Sequence, residues 1–277
     1  MRNLNFKLSK YILAAFICSI IITSCRKKHD EPTAIQSAFI HTSGTDIIDA
    51  SGSKIYLRGV AFGNEVWTDA EIPSTHHSEI DFQRVHEMGM NAIRFYMNYK
   101  TFEDDANPYT YKQTGWDWID QNIRWAKKHN VYLILNMHVP QGGFQSNGDG
   151  GALWSDPENQ ARLKALWFNI AKHYANETTI AGFDLLNEPV VTSSISQWAN
   201  FAQDIIDTIR SLNANQMIIV ERVNAVGSNW SNNADMNFFD LKGNNIAYEF
   251  HFYLPFEFTH QGADWVSPIP PIGQTYP

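Results

Sequence analysis

Asn187 and Glu188 close the run Phe183-Asp184-Leu185-Leu186 and stand directly before Pro189. A carboxyl in that position can give and take a proton during a reaction. The amide beside it can both donate and accept toward a ligand hydroxyl. Other polar residues also fall just past the ends of apolar runs: Asn64 and Glu65, Arg94, His138, Glu221, His251 and Tyr253. An arginine among carboxyls keeps a neighbouring one ionised. The two histidines raise the question of a metal, but no third ligand stands with them in a recognisable motif, and no metal is expected. No glycine-rich loop follows the first apolar run, so nucleotide binding has no support, and no cofactor is expected.

Residues this scattered meet only if a scaffold brings many strand ends to one rim. The apolar runs at 55–60, 92–96, 131–137, 180–186, 217–220 and 246–251 alternate with amphipathic stretches of helix length. Ser78 with Asp81 three positions on makes a capping box for the first helix. Thr114 with Asp117 suggests a second start. Asp156-Pro157, a cap followed by proline at the first helical position, marks a third. A fourth helix is expected over 194–212. Repeated β-α units with continuous apolar strands demand a parallel sheet covered by helices. A closed (β/α)₈ TIM barrel and an open doubly wound sheet both satisfy this; polar residues at the ends of many strands favour the barrel. Residues 39–60 read as a small hairpin leading into the first strand, placed to close the bottom of the barrel. Six of eight β-α units are counted. A proline-rich tail follows Tyr253, so the sequence is expected to stop short of its C-terminal units.

The motifs then add a resemblance. Asn187-Glu188-Pro189 after a strand, Leu57-Arg58-Gly59-Val60, Asn91-Ala92-Ile93-Arg94, Asn136-Met137-His138 and Phe250-His251-Phe252-Tyr253 occur in the order found in glycoside hydrolase family 5, the cellulase family. The segment Pro255-Phe256-Glu257-Phe258-Thr259-His260-Gln261-Gly262-Ala263-Asp264-Trp265 resembles the stretch after strand six in one bacterial branch of that family. The resemblance implies a retaining β-glycosidase acting on β-1,4-linked glucan or a related β-glycan. Glu188 would be the general acid/base and Asn187 the partner of the sugar 2-hydroxyl. Arg94 and Tyr253 would hold the nucleophile, and His138 and His251 would orient groups and contact sugar. It also implies a raised pKa for the acid. Asn136 stands where Asp is commoner. The family's nucleophile, a Glu ending strand seven, has no counterpart in this chain. Glu221 holds a place that is not catalytic in the family, and Glu249 shares side-chain parity with His251. A β-mannanase or other β-glycanase, and an inactive glycan-binding lipoprotein on the same barrel, are the competing readings. Trp67, Trp154, Trp230 and Trp265 are candidate stacking platforms for sugar rings. Trp154 is favoured because Gly150-Gly151 before it looks too open to bury it.

The N-terminus reads as an address. Arg2, Lys7 and Lys10 precede an apolar run over 11–22, and Ile22-Thr23-Ser24-Cys25 resembles a bacterial lipoprotein cleavage box. The expectation is a signal peptide over 1–24, lipid on Cys25, a polar tether over 25–37 and a catalytic domain over 38–277. That places the protein, as a monomer, in the cell envelope outside the cytoplasm, anchored to a membrane. Cys18 would leave with the signal, so Cys25 would be the single cysteine and no disulfide could form. Three basic residues precede Cys25, which leaves 18 Lys and Arg against 29 Asp and Glu, a formal −11. Such a balance argues against nucleic acid and polyanions and suits a neutral ligand.

Overall fold

The computed structural model describes residues 38–68, 70–73, 77–146, 148–212, 214–227 and 238–276. The expected signal peptide, Cys25, the tether before residue 38 and Trp230 lie outside these residues. Strands β1 (His41–Ser43), β2 (Asp46–Ile48) and β3 (Lys54–Ile55) form a small antiparallel sheet. The first long strand, β4, is Gly59–Phe62 rather than 55–60. Ile55 belongs to the hairpin sheet, where it pairs with Ile47. Thr42 N–H donates to Asn245 Oδ1 at 2.8 Å, which ties the hairpin to the bottom of the sixth long strand.

After β4 the chain alternates. Helix α1 (Glu79–Glu87) leads to β5 (Ala92–Asn98), α2 (Gln113–Lys128) to β6 (Tyr132–Val139), and the short α3 (Gly151–Ser155) with α4 (Pro157–His173) to β7 (Ile180–Asp184). A rim strand β8 (Val190–Val191) precedes α5 (Ile195–Arg210) and β9 (Met217–Glu221). A second rim strand, β10 (Ala225–Val226), pairs in parallel with β8, an element with no clear sequence signature. Strand β11 (Ile246–Glu249) and helix α6 (Phe256–Thr259) follow. The main sheet runs β4-β5-β6-β7-β9-β11, parallel throughout. Every neighbour is the next long strand in sequence. A doubly wound sheet reverses its order at a switch point; this sheet never does, so it curves as the wall of a (β/α)₈ barrel.

The helices start where short-range chemistry dictates. Ser78 N–H donates to Asp81 at 2.8 Å in the expected capping box. Asp156 accepts from Glu158 N–H at 2.9 Å with Pro157 behind it. Thr114 is not a cap: α2 begins at Gln113, and the Thr114 hydroxyl donates to Glu71 instead. The core lies between sheet and helices. Every residue of β7 and of β9 is buried. Two indoles connect core to rim: Trp167 Nε1–H donates to the Leu185 carbonyl at 3.1 Å, and Trp198 Nε1–H to the Glu221 carbonyl at 2.8 Å. The helix faces thereby hold the strand ends that carry the polar residues.

Candidate active site

Strand β5, the C-terminal ends of β7, β9 and β11 and the segments just after β7 and β11 bring Arg94, Asp184, Asn187, Glu188, Glu221, Glu249 and His251 into one cluster. Arg94 is its centre. Its Nε–H faces Asp184 Oδ2 at 2.8 Å and Glu249 Oε1 at 3.1 Å, and Nη1 donates to Asn187 Oδ1 at 3.1 Å. Burial works against the Arg94 cation, but the charges of Asp184 and Glu249 outweigh it and fix the guanidinium as charged. The remaining oxygens of the two acids, Asp184 Oδ1 and Glu249 Oε2, are buried and accept no donor. Complete burial pushes Asp184 up to about 7 despite Arg94, with Glu249 adding to the rise. Burial also raises Glu249, yet His251 and Arg94 bring it below its usual range. One proton held on Asp184 and donated to Glu249 satisfies both oxygens.

Glu188 follows the end of β7 in a left-handed turn, at φ 45°. That conformation costs a non-glycine residue of order 1–3 kcal/mol and needs outside support. Support comes from Glu221, whose Oε2 accepts the Glu188 N–H at 2.6 Å. The Glu188 carboxylate meets His251 Nδ1 at 2.7 Å. Burial raises Glu188, but the bonds from His251 and Ser146 more than offset this and leave it below the usual range. The expected raised acid is therefore corrected for this structure: His251 holds the proton. Burial disfavours the imidazolium, whereas the bonds to Glu188 and Glu249 push His251 up to about 10. Glu221 is moved well above the normal range by burial. The imidazolium rests on Glu188 and Glu249, and Glu221, 3.6 Å from its Nε2, adds to its support.

His138 stacks on Tyr96 with ring centroids 3.8 Å apart and lies near Phe144 at 5.4 Å. Its Nδ1 contacts Asn136 Oδ1 at 2.9 Å. Burial, then the charges of Arg94 and His251, hold it well below its usual value, so it is neutral. Tyr253 is half-exposed at the rim, edge-on to His251 at 6.1 Å. Trp154 is corrected. It is 6% exposed, packs edge-on against Trp198 and Phe201, and donates its Nε1–H to Gln145 at 2.8 Å. The Gly150-Gly151 stretch read as open is the start of α3, and this helix turns the indole into the core. Among the described residues, the candidate platforms that stand exposed are Trp67 at 65% and Trp265 at 80%. Donor atoms of Glu221, Glu249 and His251 lie within 4.8 Å of one another. Arg94 and His251 already occupy Glu249 as cations.

Sequence reading found Arg94, Asn187, Glu188 and His251 through their motifs. It missed Asp184 as the partner of Arg94, and Ser146, which accepts from Asn187 Nδ2 at 2.8 Å. The available signal for Asp184 was a carboxylate ending an otherwise apolar strand just before the Asn187-Glu188-Pro189 motif. Ser146 had none.

The profile described as Cellulase (glycosyl hydrolase family 5) matches residues 48–271. Endoglucanase C of Acetivibrio thermocellus is 33% identical over 192 residues, 69% of this chain and 54% of that protein. A beta-xylosidase of Phanerodontia chrysosporium is 27% identical over 270 residues, covering 83% of this chain and 55% of its own length. The chain thus spans about half the length of the curated relatives it matches. Among solved structures, endoglucanase Cel5A from Thermotoga maritima aligns with TM-score 0.61 and 27% identity over 75% of this chain and 64% of that one. The same enzyme in complex with mannotriose gives 0.58, 25%, and the same shares. With the family profile covering most of the described residues, the chain belongs to glycosyl hydrolase family 5, the cellulase family.

Proposed function

We propose that the protein is a retaining β-glycanase acting on β-1,4-linked glucan, with Glu188 as the general acid/base. The observation that supports this most is the Asn187–Glu188 pair, held at the mouth of the sheet by Arg94, Glu221 and His251. Protonated Glu188 would give its proton to the leaving glycosidic oxygen while a carboxylate attacks the anomeric carbon. Ionised Glu188 would then take a proton from the water that releases the sugar. His251, whose Nδ1 lies 2.7 Å from Glu188, would supply the proton for the first step as substrate displaces water. Asn187 would bind the sugar 2-hydroxyl, Arg94 and Tyr253 would serve the nucleophile, and His138 would present a neutral ring to the sugar. Asp184 and Glu249 are bound to Arg94, and Glu221 holds the backbone of Glu188, so none of the three is assigned the attack. Glucan is favoured by the endoglucanase relatives; the mannotriose complex of Cel5A keeps β-mannan as the second reading. Trp67 and Trp265 would be sugar platforms. The protein would act as a monomer, lipid-anchored through Cys25 in the cell envelope.

The test is Glu188→Gln in the full-length protein. It should lower hydrolysis of unactivated β-glucan by about 10² to 10⁴-fold. An activated aryl glycoside, which needs no acid, should be cleaved with a smaller loss of rate. Added azide needs no base and should restore turnover, giving a β-glycosyl azide of retained configuration. Wild-type rates on both substrates would remove Glu188 from the role, and an inverted azide product would refute the two-step mechanism.

A further inference from the structure

The hydrogen-bond ladder between β7 and β9 breaks where Glu188 sits. Leu185 N–H still donates to the Ile219 carbonyl at 3.1 Å. Pairing returns only at the rim, where Asn224 N–H donates to the Pro189 carbonyl at 2.8 Å and β8 runs beside β10. Between these points Asn187 N–H turns away to the Met137 carbonyl on β6 at 3.0 Å. The main-chain carbonyl of Glu221 on β9 is taken by the Trp198 indole at 2.8 Å. A backbone N–H in such a place still needs an acceptor. For Glu188 that acceptor is a buried side chain: Glu221 Oε2, 2.6 Å away.

The order of the sheet gives this side chain a second task. Strand β9 lies between β7 and β11. Glu188, just after β7, therefore has to reach across β9 to meet His251, just after β11. It does so from its left-handed turn at φ 45°, and its Oε1 lies 2.7 Å from His251 Nδ1. The Glu221 oxygen that accepts from Glu188 N–H also lies 3.6 Å from His251 Nε2. A small ring closes through the Glu188 backbone, the Glu221 carboxyl, the imidazole and the Glu188 carboxyl. We propose that Glu221 is a positioning residue for the reaction: its carboxyl oxygen stands in for the missing ladder acceptor, holds the left-handed turn and so aims the Glu188 carboxyl. This inference rests on the reading of Glu188 as the acid/base and deepens it. The role requires an acceptor oxygen and not a charge, so an amide oxygen in the same place serves it. Without that oxygen the turn relaxes and the carboxyl leaves its place. The loss then falls on the step that needs the proton.

The experiment uses full-length protein and the variants Glu221→Met, which fills the space without an oxygen, and Glu221→Gln, which keeps one. In Glu221→Met, kcat/KM on cellotetraose should fall by about 10²-fold, the cost of a misplacement of about 1 Å. On 2,4-dinitrophenyl β-cellobioside, whose leaving group needs no acid, the fall should be much smaller. Glu221→Gln should recover most of the loss on cellotetraose. A general weakening of the fold would lower both substrates together, and the amide would not repair it. The Glu188 amide gives a direct reading. With glutamate labelled by ¹⁵N, the resonance missing in Glu188→Gln identifies it. It should be protected from hydrogen exchange in the wild type and in Glu221→Gln, and exchange freely in Glu221→Met. An undiminished rate on cellotetraose in Glu221→Met, equal losses on the two substrates, or a Gln variant as poor as the Met variant overturns the proposal. So does a freely exchanging Glu188 amide in the wild type, which decides the matter even if Glu221→Met does not fold. Wild-type hydrolysis of cellotetraose by Glu188→Gln would instead remove the acid/base role, while the amide would still show whether Glu221 holds the turn.

Discussion

At the scale of the residue, the cluster around Arg94 is an arrangement of more acids than cations. Asp184, Glu188, Glu221 and Glu249 face Arg94 and His251. The two most deeply buried carboxyls, Asp184 and Glu221, are the ones that burial pushes upward. This sets a pH dependence of stability. The folded value of Asp184, about 7, lies above its ordinary 3.8. Its contribution is therefore complete below about pH 4, is lost as pH rises toward 7, and changes little above that; it amounts to a few kcal/mol. Glu249 is shifted the other way, so its contribution is lost only as pH falls below its ordinary 4.5. Asn at position 184 accepts from Arg94 and donates to Glu249 without carrying a titrating proton. Glu221, pushed upward as well, adds to the same decline, so thermal unfolding of Asp184→Asn against pH is expected to fall less steeply between pH 4 and 7 than that of the wild type. An identical decline in both would show that Asp184 does not hold the proton.

At the scale of the element, the loop after β5 is tied to α4 by a buried ion pair. Glu103, fully buried, accepts from Arg162 Nε–H at 2.9 Å and from Gln141 at 2.6 Å. Arg162 also donates to Asp105, whose other oxygen accepts the Tyr99 hydroxyl. Removing one member strands a buried charge. Glu103→Ala should cost about 3–5 kcal/mol in urea unfolding, whereas removing the exposed cap in Asp156→Ala should cost about 1 kcal/mol. Equal losses would place Glu103 in water rather than in the core. The two features differ in how they could be read. Asp156-Pro157 is local and announces a helix start in two residues. The Glu103–Arg162 pair joins positions 59 apart, and nothing in either neighbourhood names the other. Trp154 failed for a related reason: its neighbouring glycines suggested an open loop, but α3 and α5 close over it.

At the scale of the whole molecule, among the described residues no helix is long and apolar enough to cross a membrane. The Ile22-Thr23-Ser24-Cys25 box is the proposed source of a lipid anchor. Replacing Cys25 with Ser should move the full-length protein from the membrane fraction to the soluble one and remove the acyl mass from its N-terminal peptide. Unchanged fractionation with an unmodified Cys25 in the wild type would end the anchoring proposal. Periodicity and caps in the sequence determined the succession of strands and helices, because those signals are made by residues a few positions apart. The motifs likewise marked Arg94, Asn187, Glu188 and His251, since each motif is a short run of neighbouring residues in or just after one strand. Tertiary structure alone decided the unreversed strand order that rules out a doubly wound sheet, the pairing of Asp184 with Glu249 on one guanidinium, the bond from Glu188 N–H to Glu221, and the arrival of Ser146 at Asn187. Each of these joins groups from different strands or loops, and the protonation of every group depends on how many charges the fold buries beside it.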